Sequence, residues 1–141
     1  MILYGRDREI AAWVASNIPG LDDFGPCVAV GVVQDDTLAA GVVWSGYRDH
    51  DIQASVYAAS PRWLARPRET LRDLFTYPFD VLRCARVTAY AARSNVRALK
   101  MNKRLGFVVE GCLRKGWDGQ DDAIVFGMLR DDCRWLKGSG S

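Results

Sequence analysis

At 141 residues, 49% apolar and 26% charged with a net charge of +2, the chain has the balance of one globular domain with a real core. This excludes a disordered or collagen-like chain. No apolar run approaches the roughly 20 residues of a membrane span, and "MILYGRDREI" has neither the basic start nor the apolar middle of a signal peptide, so a cytoplasmic location is expected.

Helical spacing of Ile10, Trp13, Val14 and Ile18 predicts a first helix opening near Asp7 and closed by Pro19-Gly20. "CVAVGVVQ" and "TLAAGVVWSGY" read as two strands of a hairpin joined across Gln34-Asp35-Asp36. A third strand runs from about Asp51 to Ala59, with Ile52, Ala54 and Val56 on one face and Gln53, Ser55 and Tyr57 on the other; Pro61 ends it. Pro67 suits a first helical position, and the helix it opens carries Leu71, Leu74 and Phe75 inward until Pro78 stops or kinks it. "RVTAYAA" alternates as a strand. Asn95 is a good N-cap and Gly106 sits where a C-cap glycine belongs, so Val96 to Leu105 reads as a short basic helix. Strands near Phe107 to Leu113 and Ala123 to Leu129 complete one domain over residues 1–137. Residues 138–141, "GSGS", read as a native tail or a cloning remnant outside the fold.

Four cysteines, Cys27, Cys84, Cys112 and Cys133, form no C-x-x-C pair, and His50 is the only histidine. No metal site and no disulfide scaffold is expected, and each cysteine reads as a small apolar filler. Charge is unevenly spread. From Ser60 to Val109 eleven Arg or Lys face only Glu69, Asp73 and Asp80, and no acid occurs between Asp80 and Glu110. A basic middle on an acidic remainder suits an anionic partner. Within it, "SPRWLARPRETL" (Ser60 to Leu71) packs arginines and prolines into a glycine-free entry to a helix.

The segment from Ser94 to Leu129, with Asn95, Ala98, Leu105-Gly106-Phe107, Glu110-Gly111, Arg114 and Asp122 in that order, resembles the C-terminal half of the GCN5-related N-acetyltransferases. More narrowly, it is similar to the branch that acetylates ribosomal-protein N-termini. The likeness extends over roughly Val42 to Leu129 and is weakest in the first forty residues.

The resemblance implies an α+β fold: one mixed, mostly antiparallel sheet splayed open in its middle, with helices on both faces and acetyl-CoA wedged into the opening. The backbone around Val56, Tyr57 and Ala58 is expected to pair with pantetheine and receive the thioester carbonyl. The pyrophosphate-loop pattern Q/R-x-x-G-x-G/A falls on Arg62, Trp63, Leu64, Ala65, Arg66 and Pro67, where Ala65 and Pro67 replace both small positions. A helix start offers unpaired N–H donors and a positive dipole end to an anion, but proline has no N–H to give. Arg62, Arg66 and Arg68 are therefore expected to bind phosphate through their side chains. Asn95 serves as N-cap and, by the resemblance, touches the pantetheine arm. Arg97, Ala98, Asn102 and Lys103 on the same helix complete the expected coenzyme site.

Acetyl transfer needs a neutral amine, a polarised carbonyl and ideally an acid for the leaving thiolate. Many members of the family carry a tyrosine as that acid seven residues after the asparagine. Here the position is Asn102, whose amide cannot give a proton, leaving Tyr90 or Tyr57 as substitutes. Asp51, eleven residues before Arg62, and the neighbouring His50 are the candidate base, a histidine titrating near neutrality. Trp44, Tyr47, Trp117 and the acidic "DGQDD" are candidates for an acceptor pocket. Acetyl transfer to a primary amine, of a protein N-terminus or a small molecule, is the first reading. A coenzyme-binding protein with little turnover is the second. A basic nucleic-acid-binding module ranks last, lacking zinc-finger or stacking signatures. Self-association into a homodimer is left open.

Overall fold

The computed structural model describes residues 1–21, 23–60, 63 and 68–137. Along the chain it forms β1 (Ile2–Leu3), α1 (Asp7–Asn17), β2 (Cys27–Gln34), β3 (Thr37–Ser45), β4 (Asp51–Ala58) and α2 (Arg68–Thr76). A π-helical turn (Tyr77–Val81), β5 (Arg86–Ala92), α3 (Val96–Leu105), β6 (Val108–Leu113), β7 (Ala123–Leu129) and a 3-10 turn (Arg130–Asp132) follow. Among the described residues no helix is long and apolar enough to cross a membrane.

The seven strands make one sheet in the order β1-β2-β3-β4-β5-β7-β6. Every neighbouring pair is antiparallel except β4 and β5. The β2–β3 hairpin turns on Asp35 and Asp36, both at positive φ (53° and 60°), which is the backbone of the two-residue turn whose twist matches its flanking strands. The short β1 pairs Ile2 with Val32 and extends the sheet beyond the hairpin; a two-residue strand leaves no readable alternation in a sequence.

One face of the sheet is covered by α1, with Ile10 and Val14 packed on Ala29 and Val43. A Cβ built on Gly41 would meet Val14 Cγ2 at 2.6 Å, so this glycine is what lets α1 lie so close to β3. The other face carries the larger core, in which Trp44, Leu71, Leu74, Phe75, Phe107 and Phe126 meet under α2 and α3. Alternation along β3 sends Val43 to one core and Val42 and Trp44 to the other.

Pro78 neither stops the helix nor leaves it unchanged. Without an N–H, proline cannot close the ordinary helical ring, and the chain widens into the π turn, where Leu82 N–H donates to Tyr77 O at 3.0 Å. The caps of α3 fall where residue type placed them: Asn95 Oδ1 accepts from Ala98 N–H at 3.2 Å, and Gly106 takes φ 107°. Cys84 and Cys133 are buried fillers, and burial pushes both thiols up. Cys112 is exposed on the edge strand β6, contrary to the filler reading, because that strand has a neighbour on one side only.

Candidate functional site

The site begins with a failure of strand pairing. β4 pairs with β3 from Gln53 to Ala58, yet its parallel ladder to β5 covers only Asp51 to Ala54, against Arg86 to Ala89. Past Ala54 the two strands diverge, and Ser55 to Ala58 face β5 without strand partners on that side. The opening holds a cavity of about 540 Å³.

Three walls enclose it. The first is β4 from Gln53 to Ala58. The second is the end of β5 with the first two turns of α3, contributing Tyr90, Asn95, Arg97, Ala98 and Asn102. The third joins the segment after α1 to the turn between β6 and β7: Trp117 Nε1–H donates to Pro19 O at 2.9 Å and lies against Gly20. Gln53, Met101 and the part of this third wall that follows α1 were not anticipated from sequence, because the contact between Pro19 and Trp117 spans 98 positions and no local pattern reports it.

Arg97 crosses the opening. Its guanidinium donates to Ala58 O and lies 5.8 Å from the Tyr57 ring, which in turn meets Trp13 edge-on at 5.2 Å. The Ala58 carbonyl therefore points into the opening, and strand alternation turns the N–H and C=O of Val56 the same way. Asn102 is 5% exposed, lines the cavity, and its side chain makes no hydrogen bond with another described residue. No acid lies in the first turn of α3, so its positive dipole end is not neutralised locally.

The turn end of the cavity is acidic. Asp118 accepts from the N–H groups of Asp121 (2.8 Å) and Gln120 (2.9 Å), and these donors hold its carboxyl below the usual range. Asp121 accepts from Ser94, through the hydroxyl and through the N–H at 3.3 Å. Asp122, held low chiefly by the Lys115 N–H, pairs with Arg93 at 3.4 Å.

The anticipated residues divide sharply. Val56, Tyr57, Ala58, Tyr90, Asn95, Arg97, Ala98 and Asn102 come together around the cavity, as do Trp117, Asp118 and Asp121. Arg62, Leu64, Ala65, Arg66 and Pro67 lie outside the described residues. Trp63 is a core residue instead, 1% exposed among Val42, Trp44, Leu74 and Phe107, with no partner for its indole N–H among the described residues. Arg68 is turned to the C-terminal segment: it donates to the carbonyls of Arg134 and Lys137 (3.0 Å for the latter) and lies 5.7 Å from the Trp135 ring. The C-terminal segment has taken this cation. Lys103 is exposed and does not line the cavity.

His50 and Asp51 sit at the closed end of the β4–β5 pair. The His50 carbonyl accepts from Ala85 and Arg86 N–H, anchoring the start of β5. The Asp51 carboxylate accepts from Thr88 Oγ1 at 2.8 Å and lies 3.7 Å from Arg86, which binds Glu110 at 2.5 Å. The Glu110 bond raises the affinity of Arg86 for its proton. Neither His50 nor Asp51 faces the cavity. Trp44 lies in the core against Phe75 and Tyr77, and Tyr47 is exposed away from the opening, so neither contributes an acceptor wall.

The site thus defines an open-sheet fold in which two parallel strands part beside a helix start and leave a cavity between them. It is the fold of the GCN5-related N-acetyltransferases. No sequence model of a protein family and no curated protein sequence matches the chain, but solved structures do. The spermidine/spermine N-acetyltransferase SpeG from Vibrio cholerae is 14% identical, with 93% of this chain and 95% of that one covered at a TM-score of 0.67. The ribosomal-protein-S5-alanine acetyltransferase from Vibrio fischeri is 19% identical, over 77% of this chain and 64% of that one, at 0.60. The N-acetyltransferase PseH from Campylobacter jejuni, solved in complex with acetyl coenzyme A, is 17% identical, over 75% and 70%, at 0.55. Two further acetyltransferase structures are longer, this chain spanning 63% and 61% of their lengths.

Proposed function

We propose that the chain is an N-acetyltransferase that moves the acetyl group of acetyl-CoA onto a primary amine, of a protein N-terminus or of a small molecule. The observation that carries this reading is the parting of β4 from β5 beyond Ala54, which frees strand backbone beside the N-terminus of α3. A strand edge can pair with the secondary amides of an extended arm, and a helix start with an adjacent arginine suits the phosphates at its other end.

In this reading Val56 and Ala58 offer backbone hydrogen bonds to pantetheine and to the thioester carbonyl. Asn95 and Ala98 present the start of α3, and Arg97 moves from the Ala58 carbonyl to phosphate. Arg62 and Arg66 are the side chains we assign to the pyrophosphate. The amine nitrogen attacks the carbonyl carbon, the C–S bond breaks, and the sulfur departs with its electron pair. Tyr90 is the proton donor we assign to that thiolate, because it lines the cavity and Tyr57 is held between Trp13 and Arg97. The amine loses its proton to water. The acidic turn end admits the acceptor, whose ammonium form is drawn toward Asp118 and Asp121. The acetyltransferases of like fold act on acceptors as different as spermidine and a ribosomal protein's alanine, which agrees with leaving the acceptor at the level of a primary amine.

Two observations favour a second reading, donor binding without turnover: Asn102 can give no proton, and the Asp51 carboxylate is committed outside the cavity. Thiol release from acetyl-CoA over peptides, polyamines and aminoglycosides separates the two. Release with at least one class is expected; silence across all three, with binding intact, supports the second reading.

A further inference from the structure

We infer that Trp135 is a positioning residue for the donor site, the hub of a clasp in residues 133–137 that ties the end of α3 to the start of α2 without touching the ligand. This rests on the coenzyme reading above and concerns what holds that site in shape. Helix α3 is buried at one end only. Its buried residues are Asn102 and Leu105, both in its second half, whereas Asn95, Arg97 and Ala98 border the open cavity. At 10 residues the helix is about 15 Å long, so a tilt of about 4° at its base moves its start by about 1 Å. A binding constellation does not tolerate displacement on that scale.

The clasp grips that base. The last carbonyls of a helix have no partner within it. In α3, Asn102 O and Lys103 O accept from the N–H groups of Gly106 and Phe107, which leaves Arg104 O and Leu105 O. Both are taken by residues 30 positions later: Arg134 donates to Arg104 O, and Trp135 Nε1–H donates to Leu105 O at 2.7 Å. The Arg134 cation also suits the negative end of the helix dipole. The Trp135 ring lies 4.4 Å from the Arg134 guanidinium and 5.7 Å from that of Arg68, the first residue of α2, which itself donates to the Arg134 and Lys137 carbonyls. One indole thus joins the end of α3 to the start of α2, two positions after Arg66 in the sequence. Cys133, 1% exposed, and Leu136 root the clasp in the core, and none of its residues lines the cavity. Two bonds to adjacent carbonyls from a rooted segment fix the tilt of the helix base; water would satisfy the same carbonyls and fix nothing.

Calorimetric titration of the full chain with acetyl-CoA, at a temperature where every variant is fully folded, tests the clasp. Trp135→Phe keeps an aromatic ring and removes the N–H that holds Leu105 O. Acetyl-CoA affinity is expected to fall about fivefold, as for other substitutions that act on a ligand without touching it. Val32→Ala supplies the comparison: it opens a cavity at a residue 1% exposed on β2, two strands away from β4, and so lowers stability at a distance from the opening. It should bind acetyl-CoA as wild type does. Unchanged affinity in Trp135→Phe, whatever its melting temperature, would overturn the proposal and leave a cap that only stabilises. An equal loss in Val32→Ala would overturn it too, tracing the effect to stability. Arg134→Met removes the neighbouring bond to α3 and provides the same comparison should the phenylalanine variant fail to fold. Wild-type protein that binds no acetyl-CoA would sink the coenzyme reading and the clasp with it, whereas normal wild-type binding with unchanged variants would sink the clasp alone.

Discussion

Arg97 reaches across the parted sheet from the first turn of α3 and donates to the carbonyl of Ala58, the last residue of β4. The bond holds the guanidinium at the mouth of the cavity, beside a helix start with no acid in its first turn. Arg97→Ala is expected to raise the dissociation constant of acetyl-CoA about tenfold, the loss of one charge-assisted contact. The loss should shrink as salt is raised, since an exposed phosphate contact is screened. Calorimetry at two ionic strengths reads both effects.

Tyr90 and Asp51 lie along the same pair of strands but on opposite sides of the point where they part. Tyr90 borders the cavity, whereas Asp51 is tied to Thr88 and Arg86 at the closed end. Tyr90→Phe should lower kcat for thiol release about a hundredfold, within the usual range for a positioned acid, with acetyl-CoA affinity unchanged. Asp51→Asn should leave kcat near wild type and lower the melting temperature instead. A reversed pattern would return the proton chemistry to Asp51.

Asp118 contributes to stability in a pH-dependent way. Backbone N–H groups of Asp121 and Gln120 hold its folded carboxyl below the ordinary value of 3.8. The unfolded chain therefore takes up a proton there before the folded chain does. The contribution is complete above that ordinary value and is lost as the pH falls through the lower, folded one. Asp118→Ala should thus melt below wild type at pH 7, with the difference closing on acidification past 3.8. Melting curves over a pH series check it.

Gly41 faces α1 at close range. A methyl group there would lie 2.6 Å from Val14 Cγ2, so Gly41→Ala must push the helix outward or twist Val14 from its rotamer. A loss of about 1–3 kcal/mol is expected, as for other overpacked cores, read from the denaturant midpoint.

Much of this fold is legible in single residues whose backbone chemistry is local. Asn95 and Gly106 bound α3, and Asp35-Asp36 turn the hairpin, because an N-cap, a C-cap and a two-residue turn each need only a few neighbouring atoms. The alternation of β4 assigns its faces correctly for the same reason. What sequence hides is the partner of each long side chain. Arg68 and Arg97 look alike as cations near helix starts, yet one is captured by carbonyls 66 and 69 residues away and the other faces the cavity. Trp63 sits within an apparent phosphate-binding pattern but is buried in the core. The divergence of β4 from β5 also leaves no mark, since "DIQASVYA" reads as one uninterrupted strand; only the register shows that its second half, though paired with β3, has no partner on the β5 side.

The central claim is that the opening between β4 and β5 takes acetyl-CoA. Titration of the wild-type chain with acetyl-CoA in a calorimeter tests it most directly. The account predicts saturable binding of one molecule per chain with a dissociation constant on the order of micromolar, about 8 kcal/mol of affinity. No saturable heat would contradict it.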